Sequence, residues 1–170
     1  MIRTVQESDR LKALAWLLKY AGVNTGELMK RFATRVRVQK LVYLLRDAVP
    51  EFRGYEFSLY IRGPYSPELA DDYYKIINES INIDKLANSY TPPREAVALL
   101  DELVDINDLR LLELAATILD VYKAYKRNPI VELTLDRLIR HLKIIKPWAN
   151  REQILRALEL LRQLGFIDFD

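Results

Sequence analysis

Between residues 30 and 74 the chain sets arginines among aromatic side chains. Lys30, Arg31, Arg35, Arg37 and Lys40 form one basic cluster. Arg53 and Arg62 flank the next segment, and Tyr55, Tyr60, Tyr65, Tyr73 and Tyr74 follow close by. At helical spacing Arg35, Gln39 and Arg46 share one stripe, and Arg37 and Lys40 share the next. Guanidinium forks interleaved with rings suit phosphate backbones and exposed bases. They also suit a protein groove, where Tyr and Arg are common anchors. The plain alternative is a solvated helix face beside an aromatic core. The candidate contact set is Arg31, Arg35, Arg37, Lys40, Arg53, Arg62 and Tyr65.

Other chemistry is sparse. Glu68, Asp71 and Asp72 offer an acidic cluster of the kind that holds a hard metal, although acids in a helix's first turns also favour its positive end. His141 is the one histidine and there is no cysteine, so a thiolate nucleophile, a Cys-bound zinc and a disulfide are ruled out. His141 reads as structural, on the edge of a core face. The five glycines are scattered and form no phosphate loop. No catalytic residue, metal site or cofactor is assigned. A second basic set comprises Lys123, Lys126, Arg127, Arg137, Arg140, Lys143 and Lys146. Beyond it, Arg151, Arg156 and Arg162 alternate with Glu152 and Glu159, which would repel phosphate and point to a salt-bridged surface.

These residues need a scaffold, and 170 residues with half of them hydrophobic can build one. The net charge of +2 is too balanced for indiscriminate nucleic-acid binding. The opening residues lack the apolar core of a signal peptide, and no apolar run approaches the roughly 20 residues of a membrane span. A cytoplasmic protein with no membrane contact is expected.

Apolar periodicity and stop signals predict a helix over 10–20, a short one from Glu27 to Phe32 capped by Thr25, and one from Thr34 ended by Pro50. Tyr55–Ile61 reads as a strand with Phe57, Leu59 and Ile61 on its apolar face. Arg62-Gly63-Pro64-Tyr65 reads as a turn, with Gly63 and Pro64 needed for its backbone. Ser66 then caps a helix that opens on Pro67, where a missing N–H costs nothing. Residues 81–108 carry two basic and six acidic side chains and form an acidic connector with a short helix. Helices follow from Asn107 or Asp108 to about Lys126, with a narrow polar stripe of Arg110, Glu113, Thr117, Asp120 and then Arg127, from Thr134 to about Ile145, and from Asn150 to Gly165. Asn150 and Gln153 make a capping-box pattern. Phe166–Phe169 reads as a short strand that pairs with Tyr55–Ile61 or with 130–133. The organisation is therefore 1–80, 81–108 and 109–170.

Gln39-Lys40-Leu41-Val42-Tyr43-Leu44-Leu45, Tyr55–Tyr60 and Gly63-Pro64-Tyr65-Ser66-Pro67-Glu68-Leu69 together resemble the Panacea or SocA-like domain group. The resemblance is closer to its YwgA-like bacterial and archaeal relatives. It covers about a fifth of the chain. It implies a mostly helical fold with a small β element and, for the broader group, roles in toxin–antitoxin or adaptor systems. Residues 109–170 are similar to a winged-helix module, but the sequence stops at Asp170, before a second wing strand and its usual phosphate contact.

The expectation is a mainly α, compact multi-helix fold with a small β element and a winged-helix-like C-terminal part. The expected function is a non-catalytic regulator or adaptor of antitoxin-like or transcription-regulator character, acting by protein or DNA binding. A protein partner is expected, DNA contacts would be weak and phosphate-based, and a homo-oligomer is compatible. The alternative is a metal-dependent, nuclease-like enzyme using the acidic cluster.

Overall fold

A computed structural model describes residues 6–128 and 130–168. These residues are mainly helical, with one small antiparallel sheet, and the chain divides into two units after Asn107. The first unit contains α1 (Glu7–Tyr20), α2 (Thr25–Lys30), α3 (Phe32–Leu45), a 3-10 turn (Pro50–Gly54), β1 (Ser58–Tyr60), β2 (Gly63–Tyr65), α4 (Pro67–Asn78), α5 (Ile83–Asn88) and α6 (Arg94–Val104). The second contains α7 (Leu109–Arg127), α8 (Leu135–Ile145) and α9 (Arg151–Gln163).

The first unit is built around α3. Val38 to Leu45 is buried without interruption, so this helix is covered on all sides over its second half. α1 buries Ala13 to Leu18 in the same way. Residues 81–108, set apart in sequence by their acidity, fold into α5 and α6, which pack on α1 and α3 respectively.

Several boundaries differ from the sequence reading. Asn24, not Thr25, caps α2, because its side-chain oxygen reaches the Glu27 N–H at 2.8 Å. Thr34 caps nothing; the chain turns at the extended Arg31, and α3 is already running at Phe32. α3 stops at Leu45, well before Pro50. Val49, the residue before the proline, is held extended, and Pro50 opens the 3-10 turn.

The β element is shorter and shifted. Only Ser58–Tyr60 of the expected strand is a strand, and its apolar residues face outward: Leu59 is 41% and Ile61 90% exposed. Gly63-Pro64-Tyr65 is not the turn but the partner strand, with Ser58 opposite Tyr65, Leu59 opposite Pro64 and Tyr60 opposite Gly63. The reversal falls on Ile61-Arg62. Gly63 has φ +90°, a conformation that side chains disfavour. Pro64 occupies the pair that exchanges no bonds across the two strands, so its missing N–H costs the ladder nothing. Ser66 caps α4 through the Leu69 N–H at 3.3 Å, with Pro67 first in the helix, as the sequence implies.

In the second unit Asp108, Thr134 and Asn150 cap the three helices, and Asn150 and Gln153 close a full capping box. The polar stripe of α7 is solvated only in part: Arg110 is exposed, but Glu113 and Thr117 are buried. Among the described residues no strand follows α9. Gly165, at φ +79°, closes the helix in a Schellman turn, with the Phe166 N–H donating to the Leu161 carbonyl at 2.8 Å. That bond folds Phe166 back onto α9, and Phe166–Asp168 is irregular. Phe169, the last residue of the expected strand, lies outside the described residues.

Candidate binding groove

Where α3 passes the hairpin and α4, the first unit opens a groove of about 390 Å³. α3 supplies Phe32, Arg35, Val36, Gln39 and Lys40; the hairpin supplies Tyr60 to Gly63 and Tyr65; α4 supplies Tyr73 and Tyr74.

The hairpin is held in place by α3 side chains that stand where a third strand would. Gln39 Nε2 donates to the Ser66 carbonyl at 2.9 Å, and the Ser66 N–H donates to Gln39 Oε1 at 2.9 Å. Lys40 Nζ donates to the Pro64 carbonyl at 2.7 Å. These groups lie on the side of the hairpin away from β1, where the Pro64 carbonyl and the Ser66 N–H would otherwise be buried and unmatched. Gln39 and Lys40 are each 1% exposed. Gln39→Ala strands the Ser66 N–H, while the Ser66 carbonyl keeps the Ala70 N–H at 3.2 Å, and a loss of about 1–3 kcal/mol is expected in chemical denaturation. A loss below about 0.5 kcal/mol would show that water replaces the amide.

The structure sorts the candidate contact residues into two sets. Lys40 is buried and cannot meet phosphate, which corrects its place on an outer stripe. Arg37 also turns inward, and its guanidinium donates to the carbonyls of Ile106 at 2.6 Å and Val104 at 3.0 Å, closing the C-terminal end of α6. Burial pushes its pKa below the ordinary arginine value. Arg35 donates to the Leu28 and Met29 carbonyls at the end of α2, at 3.0 and 2.9 Å. Such cations at helix C-termini answer unpaired carbonyls and the helix dipole. Arg53 holds the Asp47 carbonyl at 2.9 Å, and Arg31 is exposed at the start of α3. Neither lines the groove. Arg62 and Tyr65 do, Tyr65 with its ring 5.3 Å from that of Tyr60.

Phe32 and Ile61 were missed by the sequence reading. Phe32 is 57% exposed, with the Arg62 and Arg35 guanidinium carbons 5.8 and 6.0 Å from its ring centre. The i, i+3 spacing of Phe32 and Arg35 was the available signal. Ile61 carried none, because its alternation with Leu59 pointed inward.

Burial pushes the Tyr73 hydroxyl up to about 12. Burial and the Asp72 carboxylate push Tyr55 higher still. A pKa raised on folding gives stability that is complete below the unfolded value, near 10, and lost as pH rises through the folded one. Stability should therefore fall between about pH 10 and 12. Tyr55→Phe and Tyr73→Phe should each flatten that fall in denaturant titrations at stepped pH. An unchanged slope in both would contradict the assignment.

The acidic cluster does not assemble. Asp72 is buried and accepts from Tyr55 OH at 2.6 Å and Arg10 Nε at 3.2 Å. Glu68 accepts from the Ser66 hydroxyl at 2.9 Å, and Asp71 is exposed. Adjacent helix residues point about 100° apart, so Asp71 and Asp72 cannot share one ion. Among the described residues no group of three His, Cys, Asp or Glu is placed to hold a metal. His141 sits half-buried with Nδ1 3.1 Å from the Tyr125 hydroxyl.

On α9, Arg156 lies 3.6 Å from Asp108 and Arg162 lies 3.5 Å from Glu159. With Arg37 and Lys40 also turned inward, duplex DNA should bind no tighter than roughly 10⁻⁶ M at physiological salt and should be released by added salt. A salt series with random and native promoter DNA measures this. Sequence-selective binding at about 10⁻⁸ M would contradict it.

No family model, curated protein or solved structure matches the chain. Among the described residues no helix is long and apolar enough to cross a membrane.

Proposed function

We propose that the chain is a non-catalytic adaptor or regulator, of antitoxin-like or transcription-regulator character, that works in the cytoplasm by holding a protein partner in this groove. The observation that carries the reading is the exposed rim: Phe32, Tyr60, Ile61 and Tyr74 are 57, 55, 90 and 39% exposed, and all line one concavity. Grouped aromatic residues left in water around a cleft mark interaction sites, while single exposed apolar residues do not.

On this reading the chain is a relative of the Panacea or SocA-like group. The residues that carry that likeness, Gln39, Lys40, Pro64 and Ser66, tie the hairpin to α3. The likeness therefore speaks to the scaffold, and partner choice rests with the rim.

The test is capture from an extract of the native host on immobilised wild-type chain and on a Phe32→Ser/Tyr74→Ser variant whose thermal unfolding is unchanged. A protein retained by the wild type and lost by the variant is the expected result. Equal retention by both would place the binding surface elsewhere.

A further inference from the structure

The groove has a sign as well as a shape. We infer that the partner presents an extended acidic segment, with one large apolar side chain flanked by carboxylates; this rests on the reading of the groove as a protein-binding site.

Charge complementarity carries the argument. Arg35, Lys40 and Arg62 line the groove, and none of the residues lining it is Asp or Glu. Lys40 is buried on the Pro64 carbonyl, so Arg35 and Arg62 are the cations at the groove surface. In a chain of 26 basic and 24 acidic side chains, a lining with these cations and no acid departs from the average. Both cations flank an exposed ring, Phe32, which gives an apolar contact bordered by positive charge. A complementary segment carries the reverse: an apolar anchor bordered by negative charge. In such an interface the anchor supplies affinity and the charges select the partner.

Size and backbone chemistry set the form of the segment. About 390 Å³ is room for one or two large side chains. β1 is exposed along its whole length. Leu59 sits opposite Pro64, so its own N–H and C=O point away from β2, and among the described residues no backbone group pairs with them. Tyr60, the next residue, already lines the groove. A segment running past Tyr60 in extended form therefore meets an open strand edge as well as the aromatic rim. A nucleic acid strand would satisfy the cations but not that edge.

The test uses short fluorescent peptides and anisotropy against the full chain. One peptide has a single Trp among Asp and Glu, one has the same Trp among Lys, and one is acidic with Ser in place of Trp; a short oligothymidine is the fourth probe. The acidic Trp peptide should bind at least about tenfold tighter than each of the others. Arg62→Glu, an exposed substitution whose unfolding curve should match wild type, should weaken the acidic peptide about tenfold and strengthen the lysine one. Tyr74→Ala should weaken both. Equal binding of the lysine peptide or of oligothymidine, no effect of Arg62→Glu, or no peptide binding would each overturn the inference. If host-protein capture still depends on Phe32 and Tyr74 while acidic selectivity is absent, only the sign of the partner falls. If capture is insensitive as well, the groove reading falls with it.

Discussion

Replacing Glu113 by leucine should bring the second unit close to unfolding at room temperature. Glu113 Oε1 and Lys146 Nζ are 2.8 Å apart, and each side chain is 3% exposed. Removing the carboxylate takes away the negative charge that answers a buried ammonium. Breaking a buried pair from one side costs about 3–5 kcal/mol. At about 0.05–0.15 kcal/mol per residue, the roughly 60 residues of this unit hold about 3–9 kcal/mol in total. The loss is thus comparable to the whole. Lys146→Met should cost as much, because it leaves the carboxylate buried instead. The double variant should recover most of the loss or exceed wild type, because apolar side chains of similar volume carry no desolvation cost. Trp148, in the same unit, reports the transition by fluorescence in a Trp16→Phe background. Two single variants that each cost under about 1 kcal/mol, or a double variant no better than either, would show that the pair is hydrated.

The second large effect is expected at Asp72. Its Oδ2 accepts from both Arg10 and Tyr55, and Arg10 also stands 5.3 Å from the Tyr55 ring centre. Asp72→Ala leaves the hydroxyl of a tyrosine with no exposed surface unmatched and removes the carboxylate from a partly buried guanidinium. The expected loss is about 2–4 kcal/mol, since a stranded buried donor costs about 1–3 and a charged one more. Asp72→Asn should cost less, because its amide oxygen still accepts from Tyr55. Tyr55→Phe should cost about 1 kcal/mol, because it removes the donor along with the need for it. Trp16 lies buried on α1, the helix that carries Arg10, and reports this unit in a Trp148→Phe background. Equal losses for Asp72→Ala and Tyr55→Phe would mean that the carboxylate serves the tyrosine alone.

Both predictions concern polar residues whose burial the sequence concealed. Glu113 reads only as part of a polar stripe, because polar spacing on a helix looks the same whether water or a lysine 33 residues away answers it. Lys40 belongs to a basic run, yet it serves a carbonyl 24 positions on. Hydrogen-bond partners that distant leave no periodic trace. The hairpin shows the same limit in another form. Alternation of apolar residues marked 55–61 as a strand with Leu59 and Ile61 on its apolar face, but alternation fixes only that two faces differ. Which face is buried depends on what packs against it, and here α3 takes the far edge of β2 while β1 stays in water.

The sequence by itself determined much of what is local, though not the caps of α2 and α3. The helix content, the α4 start at Ser66-Pro67, the Asn150–Gln153 capping box, the Thr134 cap, the α7 start narrowed to Asn107 or Asp108 and the need for glycine at position 63 all depend on residues within a few positions of one another. It also brought Arg35, Arg62 and Tyr65 to notice as one aromatic and cationic set. Only the tertiary structure decided which of the basic residues remain at the surface. The long side chains of Arg37 and Lys40 turn inward because α6 ends and β2 runs beside α3, each exposing backbone carbonyls. Each of these carbonyls, buried without a donor, would cost about 1–3 kcal/mol, and the charged donors of Arg37 and Lys40 satisfy them.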